Sequence, residues 1–258
     1  MNNNPPHREP EKSTRPPAGK RHARIEGLTI LHEDRDIIVV NKAPGLLTIA
    51  TDNDRTRTAY HLLTDYVRKG TSRSRERIFI VHRLDRDTSG VLVFARTEEA
   101  KRKLQDNWES VEKHYLAVVH GSMPRKEGVI TSYLAENSAL RVYSTPDPAK
   151  GLLSKTAYRV LRESSGFSVL DITLLTGRKN QIRVHLSEQG HPVVGDRKYG
   201  PAGGPGRFLA LHALSIAIHH PFTGDRVTFE AAPPPHLARW WRPQNVKPVN
   251  ATEGGPIP

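Results

Sequence analysis

Ile78-Phe79-Ile80-Val81-His82-Arg83-Leu84-Asp85-Arg86-Asp87-Thr88-Ser89-Gly90-Val91-Leu92-Val93-Phe94-Ala95 places five ionisable residues in the six positions from His82 to Asp87, between two apolar runs. Each run is too continuously apolar to keep one face in water, so both read as strands buried on two sides. A charged segment between them must leave the sheet at the edge of the core, where charges are only partly hydrated. Thr88-Ser89-Gly90 suits a tight turn, with hydroxyls that bond back to the backbone and a glycine free to adopt positive φ. Either aspartate could be a turn residue or a catalyst.

Outward from this stretch, short apolar segments alternate with turns. Leu28–Leu31 and Ile37–Val40 read as strands joined by the polar residues 32–36, and Pro44-Gly45 ends the second. Ala59, Leu62, Leu63, Tyr66 and Val67 recur at helical spacing before Gly70. Thr97 caps a second helix, with Glu98 and Glu99 in its first turn and Ala100, Leu104 and Trp108 on one stripe. From 113 to 175 the pattern is mostly strands. Thr176-Gly177 breaks it, a helix with Ile182 and Leu186 ends near Gly190, and two further strands cover Leu209–Ile218 and Arg226–Phe229. There is no regular βαβ alternation. The expectation is an α+β fold with a large, mainly antiparallel mixed sheet, flanking helices, and a cleft across the sheet.

Three regions follow from composition. Residues 1–24 hold five prolines, six basic and two acidic side chains, and no aromatic residue, which predicts a disordered basic arm. Residues 25–241 form the folded domain, and 242–258 a proline-rich flexible tail. The 258-residue chain has no cysteine, so disulfide frameworks, thiolate metal sites and cysteine nucleophiles are excluded. No export signal or membrane-length apolar stretch is present, and a cytoplasmic protein with no membrane contact is expected. Lysine and arginine outnumber aspartate and glutamate by 39 to 27. The excess persists beyond the arm, so nucleic acid is the expected partner.

Several patterns compete as chemistry. Asp87-Thr88-Ser89-Gly90 has the form of an aspartic protease loop, but such a site needs two loops sharing a proton and the chain holds one. His185, Glu188 and His191 lack the spacing that puts two ligands on one helical face, so no metal is expected. Trp240-Trp241 is expected to pack, and the basic loop 68–77 either contacts phosphates or is solvated surface.

The string His82 to Gly90 as a whole closely resembles the His-Arg-Leu-Asp-x-x-Thr-Ser-Gly signature of the RluA-type pseudouridine synthases. Other segments resemble the same family in order. They are Ile38–Gly45 with Lys42, Lys113–Ala117 around Tyr115, Leu175–His185 with Gln181 and Arg183, Gly195–Gly200, and Leu211–Ala213. Asn180 stands where many members carry histidine.

The resemblance implies a pseudouridine synthase fold and an RNA substrate, ribosomal or transfer RNA, without cofactor. It implies Asp85 as the catalytic carboxylate, Arg183 as its partner, and Tyr115 stacked on the base and able to take a proton. Arg83 would fill the space left by the flipped uridine, with His82, Lys42, Thr88 and Gln181 in support. A monomer without an obligate protein partner is expected. The alternative is an inactive basic RNA-binding protein on the same fold. Whether Asp85 attacks C1′ of the ribose or C6 of the base stays open.

Overall fold

The computed structural model describes residues 24–51, 56–69, 71, 73–164, 166–202, 208–238 and 240. The predicted tail (242–258) lies outside the described residues, as does the arm (1–24) except Arg24.

In chain order the elements are β1 (Arg24–Ile25), β2 (Leu28–Glu33), β3 (Ile37–Lys42), α1 (Ala59–Val67), β4 (Phe79–Ile80), β5 (Ser89–Ala95) and α2 (Glu98–Asp106). They continue with β6 (Glu112–His120), β7 (Glu127–Glu136), β8 (Val142–Thr145), β9 (Leu152–Ser164) and β10 (Phe167–Leu174). The last are α3 (Gln181–Glu188), β11 (Leu211–His219), β12 (Arg226–Glu230) and α4 (Pro235–Ala238). The twelve strands make one sheet in the order β1-β2-β3-β5-β11-β6-β10-β9-β7-β8, with β4 beside β5 and β12 beside β11. Every pairing is antiparallel except β5 with β11. The expected α+β fold with a mainly antiparallel mixed sheet is the one observed. No helix among the described residues is long and apolar enough to cross a membrane.

The unbroken apolar runs have a simple cause. Alternate residues of β3 and β5 enter two different cores. Ile38, Val40, Leu92 and Phe94 join a core shared with Leu63 of α1 and Ile182 and Leu186 of α3. Ile37, Val39, Val91 and Val93 join another, closed by Ala100 and Leu104 of α2. Both helices begin on a threonine cap, Thr58 accepting from the His61 N–H and Thr97 from the Ala100 N–H. Trp108 does not continue the α2 stripe, because the helix ends at Asn107 and a short 3-10 turn (Trp108–Ser110) follows.

The sheet splits between its two halves. β5 and β11 touch over only two residue pairs, Ser89 with His212 and Gly90 with Ala213. Beyond them β4 pairs with β5 at Phe79–Ile80, and β12 pairs with β11 from Ser215 onward. The approach at the split is close: Gly90 has φ +116°, and a Cβ there would lie 2.1 Å from the Ala213 carbonyl oxygen. Glycine is required by the neighbouring strand and not by a turn.

Candidate active site

Residues 81–88 emerge where the sheet splits. The tight turn runs from Asp85 to Thr88, closed by the Thr88 N–H on the Asp85 carbonyl at 3.2 Å. This corrects the expected turn at Thr88-Ser89-Gly90: Ser89 and Gly90 already belong to β5 and are buried. Past Ile80, β4 leaves the sheet, and the His82 ring replaces it by accepting the Val93 N–H on Nε2 at 3.0 Å. Burial, helped by the nearby Lys113 cation, pulls the His82 pKa down to about 3. The ring is therefore neutral, with its proton on Nδ1.

The loop is fixed from a second side. Thr48 exchanges two hydrogen bonds with the Leu84 backbone: its hydroxyl donates to the carbonyl at 2.8 Å, and its oxygen accepts the N–H at 3.2 Å. Lys42 is fully buried, and its ammonium donates to the carbonyls of Ala43, Leu46 and Arg86 at 3.0, 2.8 and 2.9 Å. The Gly45 N–H also meets the Arg86 carbonyl at 2.9 Å. Burial lowers the Lys42 pKa to about 7 against the attraction of Asp87 and Asp85. All three ammonium protons hold backbone, so Lys42 shapes the loop and does not reach the cleft.

The two aspartates part company here. Asp87 pairs with Arg86 at 3.3 Å, and both side chains are exposed. The Asp85 side chain is 21% exposed, and its Oδ2 lies 3.3 Å from Arg183 Nη1. Arg183, 98 residues on in the chain, comes from the first turn of α3. That helix starts at Asn180, whose left-handed φ of 54° asparagine tolerates better than most residues. The pairing of Arg183 with Asp85 is as expected, but it is the weaker of two. Arg183 grips Asp196 bidentately, Nε to Oδ2 at 2.7 Å and Nη2 to Oδ1 at 2.8 Å, and Nη1 also donates to Asn180 Oδ1 at 3.0 Å.

Asp196 has a fully buried side chain and takes the N–H groups of Lys198 and Tyr199, at 2.9 Å each. Arg183 first, and these backbone donors after it, hold its pKa below the usual carboxylate range despite burial, and Asp196 with Asp85 raises that of Arg183. Nothing in the sequence around Gly195-Asp196 assigns that carboxylate a role. The signal available was its charge next to a glycine, which here has φ +75° and a backbone too close to Phe208 for a Cβ.

Tyr115 lies on β6, buried, beside Asp85 in a cavity of about 250 Å³ whose walls also include Leu84, Leu174, Ile182 and Leu211. Burial, followed by the Asp85 charge, raises its pKa. The phenol therefore stays protonated, which favours stacking and hydrogen-bond donation over the proton-accepting role. A second cavity of about 530 Å³ shares Arg83, Asp85, Asn180 and Arg183 and opens among Arg141, Lys179, Arg197 and Lys198. Exposed Arg83 thus borders both.

Gln181 borders the first cavity, but its amide is spent on the fold. Its oxygen accepts from the Thr176 hydroxyl and Arg178 N–H, and its nitrogen donates to the Lys155 carbonyl and the Thr156 hydroxyl. Thr88 is 2% exposed in the same wall.

The remaining candidates fall elsewhere. His185 bonds to Thr156 and Ser132, Glu188 accepts the Ser144 N–H, and His191 meets the His120 carbonyl, so the three do not converge. Asp34, Asp36 and His220 do converge. There, however, the Phe222 and Thr223 N–H groups, both at 3.3 Å, point at His220 Nδ1, which leaves the ring proton on Nε2, donated to Asp34 at 3.0 Å. That nitrogen has no lone pair for a metal. In the basic loop Arg68 donates to the Glu76 carbonyl and Arg77 covers Phe79; residues 70 and 72 lie outside the described residues. Trp240 packs 5.6 Å from the Phe167 ring, as expected, while Trp241 lies outside.

Residues 36–188 match the family profile described as RNA pseudouridylate synthase. The chain is 34% identical over 215 residues to an uncharacterized RNA pseudouridine synthase, YlyB, of Bacillus subtilis, covering 82% of this chain and 71% of that one. It is 33% identical over 223 residues to ribosomal large subunit pseudouridine synthase D of Yersinia pestis, covering 80% and 67%. Among solved structures, human RNA pseudouridylate synthase domain containing 1 superposes with a TM-score of 0.66 at 26% identity, covering 89% of this chain and 94% of that one. Human RNA pseudouridylate synthase domain containing 4 shares the fold, with a TM-score of 0.68 at 21% identity over 81% and 90%.

Proposed function

The chain belongs to the RluA-type RNA pseudouridine synthases, isomerases acting on RNA, and from that premise we infer that Asp85 is the carboxylate that converts uridine to pseudouridine. The observation that supports this reading is the Asp85–Arg183 contact beside Tyr115 in one cavity, where Asp85 is the single acidic wall residue.

The reaction breaks the N1–C1′ bond, turns the uracil, and joins C5 to C1′. N1 gains a proton and C5 loses one. No electrons or groups are exchanged with another molecule, so the balance needs no cofactor. Asp85 supplies an electron pair at C1′ or at C6. Arg183, held by Asp196, aims the carboxylate and offsets its charge. Tyr115 stacks against the turned base and donates from its phenol.

Extruding the uridine costs a few kcal/mol, and Arg83, on the border of both cavities, fills the gap in the stack. The basic residues of the second cavity and of the 68–77 loop contact phosphates. Residues 25–241 form the catalytic unit, flanked by an arm and a tail, in a cytoplasmic monomer. Ribosomal RNA is the substrate to try first, because two relatives are named for the large ribosomal subunit.

Uridines labelled with tritium at C5 report turnover, because that hydrogen leaves as C5–C1′ forms. With ribosomal RNA from a strain lacking the gene, Asp85→Asn is expected to lose at least about 1000-fold in tritium release while still binding RNA. Activity of Asp85→Asn within tenfold of the unchanged protein would overturn the assignment. No release by the unchanged protein would favour the binding-only alternative.

A further inference from the structure

One cation in the cleft has no task in this scheme. Lys113 stands two residues before Tyr115 on β6, so its side chain leaves the strand on the same face. It is 8% exposed and lines the same cavity. Its Nζ lies 5.3 Å from the centroid of the Trp108 ring, and that ring packs on His82 with centroids 4.8 Å apart. Burial lowers the Lys113 pKa, and no carboxylate draws it back up. Asp85 is the cavity's single acidic wall residue, and it belongs to Arg183. Among the described residues the ammonium has neither an acid partner nor an acceptor carbonyl. His82 cannot serve as one, since its Nε2 already accepts the Val93 N–H.

A largely buried lysine whose ammonium meets the open cavity and no counter-charge is poorly compensated. The arrangement is relieved when an anion enters the cavity, and the anion that accompanies every nucleotide is its phosphodiester. Trp108, braced by His82, provides a rigid face along which the lysine lies. Arg83, in contact with solvent, attracts phosphate as a screened surface charge; Lys113 acts from a desolvated wall where one contact counts for more.

We propose that Lys113 holds a backbone phosphate of the RNA beside the extruded uridine, with Trp108 as the wall that keeps its side chain in place. The proposal rests on the synthase reading of the cleft. It makes Lys113 a positioning residue whose effect is on binding.

The test uses the full chain and the variants Lys113→Met, which keeps the packing on Trp108, and Lys113→Arg, which keeps the charge. Tritium release from ribosomal RNA of the deletion strain gives kcat and KM. Anisotropy of a fluorescein-labelled oligouridylate, titrated across potassium chloride concentrations, gives the salt slope of binding. Lys113→Met is expected to raise KM roughly tenfold with kcat within about twofold, and to flatten the log–log salt slope by about 0.7. Lys113→Arg is expected to restore both. The proposal is overturned if KM and slope match the unchanged protein, or if kcat falls while KM and slope hold, since the lysine would then act in the chemistry. Should Lys113→Met melt too low to assay, Lys113→Gln takes its place. If the unchanged protein releases no tritium, the synthase reading fails, and the oligouridylate slope still decides for or against the phosphate site.

Discussion

Replacing Asp196 with asparagine separates the role of the Asp85–Arg183 contact from that of the frame behind it. The variant keeps the shape and the oxygen that accepts from Lys198 and Tyr199, but sets an amide N–H against Arg183 Nε, now 2.7 Å from a carboxylate oxygen. A charge pair whose side chains are 9% and 0% exposed is broken on one side. Losing one partner of a buried pair costs about 3–5 kcal/mol, and the retained backbone acceptor keeps this case near the lower figure, about 3. For a chain of this size that is a fall of roughly 6–12 °C in melting temperature. The effect on catalysis has another origin. Arg183 loses the carboxylate that orients it and is left with Asp85 and Asn180. The guanidinium then follows Asp85 instead of aiming it. We expect kcat to drop about 10- to 100-fold, worth about 1.4–2.8 kcal/mol in the barrier, with KM little changed. Tritium release under single-turnover conditions, well below the variant's melting temperature, measures this. If the melting temperature falls as predicted and kcat does not, Asp196 serves folding alone, and the idea that it positions the catalytic pair is wrong.

Gly90→Ala places a Cβ 2.1 Å from the Ala213 carbonyl oxygen at a φ of +116°, where neither backbone can give way. Strain and overpacking together should cost roughly 3–6 kcal/mol, and an unchanged urea midpoint would contradict the close approach of β5 and β11. His212 is fully buried, its Nδ1 accepting from Ser89 at 2.8 Å and its Nε2 donating to the Ala231 carbonyl at 3.0 Å. Burial lowers its pKa to about 4, so its contribution is present above the ordinary pKa of about 6.5 and is lost as pH falls from there toward 4. Between those limits the unchanged protein should lose about 3 kcal/mol more than His212→Gln, and equal losses in paired denaturation curves would refute the assignment.

What could be read in advance, and what could not, follows from how far the deciding contact lies along the chain. The caps at Thr58 and Thr97 and the helical spacing of α1 are local, and the residues alone disclosed them. The two-sided burial of β3 and β5 was also legible, because an unbroken apolar run has no other stable use in a sheet. In the sequence Gly90 suits a turn, because turns are the usual reason for positive φ. Its real cause is Ala213, 123 residues later, on a strand whose place between β5 and β6 no local pattern announces. The same holds for Lys42. A lysine beside Pro44-Gly45 looks like a solvated loop residue until the fold surrounds its ammonium with three carbonyls.

At the site, the residues singled out from the family motifs were those with reactive groups, and the structure brings Asp85, Tyr115, Arg83 and Arg183 to one cleft. The supports were harder to see, because a support is defined by its partner. Asp196 differs from any other loop aspartate only in facing Arg183, and Lys113 from Lys42, the other buried strand lysine, in having no acceptor carbonyls around its ammonium among the described residues. The partners of each charge inside the cleft are therefore what the fold adds to the sequence. Arg183 has two carboxylates, Asp196 and Asp85. The Lys113 ammonium has none in contact among the described residues, and a phosphodiester carries the charge that would pair with it.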